Sequence, residues 1–163
     1  MAGEDNQLVR EAEASRIVKG YIGWTAGAGL IPLPWVDLVA ITAIQVKMVA
    51  DLAALYNVPF SRNIVKSIIA ALLGSVIPGG LTKATSSLIK SIPVVGTTVG
   101  LFTMPIFASA STYAVGRVFI QHFEAGGNLL SFDVEGMRQH FKAEFEEASA
   151  SEAENEEDLA KAS

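Results

Sequence analysis

The sequence predicts an all-α fold, a helical bundle of about five or six helices. Two observations carry this: apolar residues recur at helical spacing along most of the chain, and prolines and glycines punctuate them at intervals suited to helix ends. Two uncharged windows add a further expectation, that some of these proline- and glycine-broken helices form a membrane-embedded hairpin.

Glu4 to Trp24 reads as the first helix, polar at its start, with Ile17, Tyr21 and Trp24 at helical spacing toward its end. Gly27, Gly29 and Pro32 break it. The stretch "LIPLP" is then a turn, and a second helix opens at Pro34, where a missing N–H costs nothing. On that helix Asp37, Ile44, Met48, Asp51 and Leu55 fall near one face, with Ile41 and Leu52 beside them. Asp37 sits where the helix dipole favours a carboxylate, and Asp51 stands four residues after Lys47, at ion-pair spacing. Within a membrane cavity or an interface, Asp37 would instead be a functional candidate.

Pro59 disfavours helical geometry at Val58, and Ser61 is a good cap for a helix from Arg62 to Val76. "IPGG" stops the chain, and Leu81 to Lys90 gives a shorter amphipathic helix. Ile92-Pro93 opens a stretch from Ser91 to Gly116 with 26 residues and no charge. That is enough for about 30 Å of hydrocarbon and is the best transmembrane candidate, with a kink or break expected at Pro105. The other window, Ser67 to Thr82, has 16 residues and is short for a span. Gly23 and Gly27, Gly96 and Gly100, and Ala108, Thr112 and Gly116 stand four apart, a spacing that lets helices approach closely. A last amphipathic helix runs from Val134 to about Ser149 with Met137, Phe141 and Phe145 on one face.

The net charge of −5 is unevenly placed. Residues 1–143 carry 11 Lys/Arg against 9 Asp/Glu, and residues 144–163 carry 1 Lys against 8 acids. The chain therefore divides into an amphipathic N-terminal segment (1–19), a hydrophobic helical domain (20–127), a C-terminal amphipathic helix (128–149) and an acidic tail (150–163) expected to be disordered for want of apolar anchors. Half of the residues are apolar and the mean hydropathy is +0.38, a balance that points toward lipid. The first twenty residues carry four acids and no apolar run, unlike a secretory signal peptide.

Catalytic and cofactor patterns are missing from the sequence, so the chain reads as a non-enzyme without metal or cofactor. There is no cysteine, and His122 and His140 lack any metal-binding spacing. "GSVIPGGLTKAT" has the glycine separation of a phosphate loop, but Gly80-Leu81 stands where Lys-Ser/Thr is required. No basic patch is interleaved with aromatics, which argues against nucleic acid.

The stretches "IPLPWVDLVAITAIQVKMVADLAALYNV", "IPVVGTTVG" and "STYAVGRVFIQHFEAGG" carry a resemblance. The ordered run IP-x-P-x-x-D, Q-x-x-M, Y-N-V, IP-x-x-G, T-x-A-x-G and H-F-E-x-G, over about Gly20 to Gly127, resembles the YcjF-like family, domain of unknown function 697. These are small helical, membrane-associated bacterial domains, often linked to P-loop GTPases. The resemblance implies membrane lipid and a P-loop GTPase as partners, and a place at the bacterial inner membrane with cytoplasmic termini. It supplies no catalytic residues. Positions that match the motif also have physical roles to play. Pro32, Pro34 and Pro93 set turns, and Gly96, Thr112 and Gly116 permit close packing. Gln45 can hydrogen-bond to a neighbouring helix, Arg117 would sit at the membrane edge, and His122 and Glu124 would fall near the boundary before Gly126-Gly127 ends the helix.

Three functions are open at this point. The leading expectation is a membrane adaptor that anchors or regulates a GTPase. The alternatives are a self-assembling helical scaffold or coat, in keeping with an expected homo-oligomer, and a small channel or transporter-like unit using the broken helices and Asp37.

Overall fold

A computed structural model describes residues 2–28, 34–76 and 104–162. These form five α-helices: α1 (Ala2–Ala28), α2 (Pro34–Leu55), α3 (Arg62–Val76), α4 (Met104–Glu124) and α5 (Val134–Ala162), with a 3-10 turn at Leu129–Ser131. No strand occurs among the described residues. Leu81 to Lys90 lies outside them, as do Pro32, Pro93, Gly96 and Gly100.

Helix α4 is the centre of the bundle and touches α1, α2, α3 and α5. The pairs α1·α2, α2·α3 and α3·α5 close the rest, and α5 shares a small cavity with Ile22 of α1. Val18 of α1 meets Gly116, and Ile22 shares a small cavity with Ser109 and Tyr113, so α1 and α4 run antiparallel. Ala28 and Met104 accordingly lie at one end of the bundle, which we call the upper end, and Tyr56 and Glu124 meet at the other.

The core joins Ala14 and Val18, Met48 and Leu52, Ile69 and Leu72, Val115 and Phe119, and Phe141 and Phe145, all buried. The predicted starts of α2, α3 and α5 match the observed ones. The inward face of α2 is Ile41, Gln45, Met48, Val49 and Leu52, which leaves Ile44 and Asp51 at its margin toward α1. On α1 the reading of the stripe needs correction. Ala14 and Val18 face the core with Ile17 and Tyr21 packed beside them, whereas Trp24 is turned outward and 75% exposed. Gly23 and Gly27 have open space around them, so this pair brings no helix close among the described residues.

Only part of each uncharged window is described, and the hairpin expected from them falls mostly on residues 77–103, outside the described structure. The described part of Ser91–Gly116 is the first half of α4, with Ile106, Phe107, Ala108, Ala110, Thr112, Ala114 and Val115 buried in protein. A helix apolar on nearly every side is what a central core position requires, and composition alone does not separate this from a lipid-facing helix. Likewise the described part of Ser67–Thr82 is the amphipathic second half of α3. No helix among the described residues is long and apolar enough to cross a membrane. Pro105 is the second described residue of α4, and the residues before Met104, which decide whether it kinks a longer helix, lie outside the described structure.

Two helix ends share one geometry. After α2, Asn57 adopts φ +56°, with Val58 N–H donating to Ala53 O and Asn57 N–H to Ala54 O. After α4, Gly126 adopts φ +82°, with Gly127 N–H donating to His122 O and Gly126 N–H to Phe123 O. In both, a left-handed residue lets the chain satisfy otherwise orphaned carbonyls.

The acidic tail also departs from expectation, since α5 runs on to Ala162. Phe141 and Phe145 dock its first half, so the costly nucleation step is already met and Ala and Glu, both strong helix formers, propagate it. Lys161 pairs with Glu157 at 2.8 Å one turn back.

Candidate functional site

Inside the bundle a polar seam joins α2 to α4. Gln45 Nε2 donates to Ser111 Oγ at 3.0 Å and to Thr112 Oγ1 at 3.2 Å, with all three residues buried. The Ser111 hydroxyl in turn donates to Ala108 O at 3.2 Å. Gln45 Oε1 has no hydrogen-bond partner among the described residues. The seam contains no titratable group, so its chemistry is positional: it sets the register of α2 against α4. One turn on, Gly116 lets α1 approach α4 closely. A Cβ there would stand 2.5 Å from Val18 Cγ2. The sequence thus brings Gln45, Thr112 and Gly116 together at the α1/α2/α4 junction.

Arg117, expected at a membrane edge, lies between α4 and α5. Its Nε is 3.8 Å from Glu144 Oε1, and His140 Nε2 approaches the same oxygen at 3.5 Å. His122 sits at the end of α4, where Nε2 is 2.8 Å from Asn128 O and the ring meets Phe132 edge-on at 4.8 Å. A Cβ on Gly127 would strike that ring, so glycine is required beneath it. Asn128 Oδ1 then accepts from Leu130 N–H and Ser131 N–H, and Asp133 Oδ1 accepts from Gly136 N–H to start α5.

Glu124 belongs to a surface feature that the sequence left unassembled. Tyr56 OH donates to Glu124 Oε1 at 2.9 Å, and Arg10 lies over the Tyr56 ring at 5.5 Å. Burial of Tyr56, and then the hydrogen bond to Glu124, push its phenol well above the ordinary tyrosine range. Around this pair a groove of about 1030 Å³ at the lower end is lined by Glu4, Asp5, Leu8, Glu11 and Gln121. No sequence pattern announces it, because its walls come from three separate segments.

A second groove, of about 780 Å³, runs between the outer faces of α1 and α2, lined by Arg16, Tyr21, Trp24, Ile44 and Lys47 among others. At its foot Tyr21 OH donates to Asp51, which also holds Lys47 Nζ at 2.7 Å, the ion pair expected from their spacing. Burial works to raise the Asp51 carboxyl, but the hydrogen bonds from Lys47 and Tyr21 outweigh it and hold it below its ordinary value. Tyr21 is pushed up by burial first and by Asp51 second.

Pro34 opens α2 and Asp37 falls in its first turn, but the side chains of both lie outside the described structure. Among the described residues no group of three or more His, Asp or Glu could hold a metal ion.

The profile of the domain of unknown function DUF697 matches residues 3–149. Magnetosome membrane protein 22 of Magnetospirillum gryphiswaldense is 38% identical over 142 residues, covering 86% of this chain and 73% of that protein. No solved structure matches.

Proposed function

This chain belongs to the family of the domain of unknown function DUF697, and on that premise we propose that it is a non-enzymatic, membrane-associated helical adaptor that anchors or regulates a partner P-loop GTPase. The observation that carries the membrane half is the similarity, over 86% of the chain, to a protein named for the magnetosome membrane. The antiparallel pairing of α1 with α4 supports it. Ala28 and Met104, which the uncharged stretches 29–33 and 91–103 adjoin in sequence, stand at the upper end of the described bundle, and a groove suited to a protein partner stands at the lower end. There the groove beside Tyr56 and Glu124 offers carboxylates around Leu8, itself 65% exposed, a combination suited to a basic and partly apolar surface.

Two measurements test this. In expressing cells the protein is expected in the membrane fraction; release by a neutral buffer wash of low ionic strength refutes the membrane half. A photo-crosslinking side chain at Gln121, on the rim of the lower groove, is expected to capture a P-loop GTPase. Adducts that contain no GTPase refute the adaptor half.

A further inference from the structure

The outer face of α2 is an apolar ridge without a partner among the described residues. Val39 is 72% exposed, Ala43 follows one turn later, and Trp24 of α1 stands beside them. Grooves flank the ridge on both sides. Arg16 and Lys47 line the one toward α1 with Trp24 and Ile44; Arg62 and Lys66 line the one toward α3 with Val39, Ala43 and Val46. An exposed tryptophan and valine between two pairs of cations is the composition of a surface that sits in the headgroup layer. The indole takes the interface, and the long basic side chains reach phosphates while their stems cover the apolar rim. Among the described side chains of this face the acids stand at its lower margin: Asp51, which Lys47 and Tyr21 occupy, and Glu13 on α1. The acidic residues Glu147 and Glu152 of α5 line a separate small cavity with Ile22 of α1, outside both grooves.

We propose that the α1/α2 face, with Trp24 and Val39 at its centre and Arg16, Lys47, Arg62 and Lys66 around them, seats the protein on the surface of a bilayer leaflet rich in anionic lipid. This rests on the membrane reading above and adds to it which face meets the lipid and which headgroup charge it selects. Charge complementarity selects the leaflet as occupant, since a neutral apolar partner would leave Arg16, Arg62 and Lys66 at its rim desolvated and unmatched, Lys47 being held by Asp51.

The test uses the full chain and vesicles of phosphatidylcholine with and without phosphatidylglycerol, read by co-sedimentation. Each cation at an anionic leaflet contributes about fivefold to partition, so Arg62→Gln/Lys66→Gln is expected to bind phosphatidylglycerol vesicles about thirtyfold more weakly. Lys142→Gln/Lys161→Gln makes the same change in net charge on α5 and is expected to bind as the parent does. In a Trp35→Phe background, Trp24 emission is expected to shift to the blue on these vesicles and to be quenched by brominated lipid. The substituted α3 and α5 side chains lie outside the core, and an unchanged thermal midpoint verifies that the variants fold. Equal loss in both double variants, or sedimentation without a Trp24 shift, overturns the proposal while leaving membrane association standing. A Trp24 shift that grows with protein concentration in the absence of lipid assigns the face to a second copy and also overturns it. Failure to sediment with either vesicle removes this proposal and the membrane reading together.

Discussion

Gly116→Ala is the most direct probe of the packing between α1 and α4. The new methyl would stand 2.5 Å from Val18 Cγ2 and 2.8 Å from Cγ1, against an ordinary carbon–carbon separation of about 3.5–4.0 Å, so the helices would part by about 1 Å. Val18 has little room to yield. It is buried, and a β-branched side chain in a helix has essentially one rotamer. Overpacking of this kind costs about 1–3 kcal/mol, and replacing glycine by alanine in a helix returns about 1 kcal/mol, so a net loss of about 1–2 kcal/mol is expected. In a thermal melt followed by circular dichroism this is a fall of roughly 2–8 °C for a chain of this size. Val18→Ala alone should cost about 2 kcal/mol by removing buried methyl groups. The double variant should then be more stable than the sum of the two losses allows, by about 1–2 kcal/mol, because the alanine methyl enters space that Val18 has vacated. If Gly116→Ala raises the midpoint and the two substitutions are additive, the helices are not in the contact described and the reasoning fails.

Other perturbations separate equally clear outcomes. Gln45→Leu should be within about 1 kcal/mol of neutral or slightly stabilising, because it removes the orphaned Oε1 and Ser111 keeps its bond to Ala108 O, whereas Gln45→Glu should cost about 3 kcal/mol or more; denaturant titration compares them. Truncation after Ser149 should remove roughly a tenth of the helical signal and leave the thermal midpoint nearly unchanged, since the removed turns are largely exposed. An unchanged signal would mean that the tail is not helical. Tyr56 and Tyr21 have folded pKa values above their unfolded ones, so the stability they contribute is present below about pH 10 and lost as the pH rises toward the folded values. Tyrosinate absorbance should show late-titrating phenols, with Tyr56→Phe removing the latest step. At the acid end the lowered Asp51 carboxyl contributes stability above its unfolded value of 3.8, which is lost as the pH falls through the lower folded value; Asp51→Asn should flatten that limb of the melt profile.

What was legible in the sequence is what local chemistry decides. Pro34 fixes a first turn, Ser61 precedes a helix, and Gly126-Gly127 ends one, each through a conformational preference of one or two residues. Gln45 could be recognised as a polar group needing a partner, yet Ser111 and Thr112 lie far along the chain and only the packed bundle selects them. Arg117 was placed at a boundary because its neighbours are apolar, but those neighbours are apolar because four helices surround α4. Trp24 shows the same limit from the other side: periodicity groups residues on a face, and the inward direction of that face is set by the helices it meets. The tail was misjudged because its composition was weighed by itself, without the docked turns that precede it.

The central position of α4 has a consequence for how the chain is made. Among the described helices, the core faces of α1, α2 and α3 have one another alone until α4 is available, and the buried meeting of Val18 with Gly116 joins positions roughly a hundred residues apart, a contact that must be closed late and slowly. A ribosome adding about 5–20 residues per second leaves that surface open for several seconds between Val76 and Glu124. Over that interval the nascent chain is a hydrophobic client, and whichever apolar phase or chaperone reaches it first governs how much of it arrives as the finished bundle.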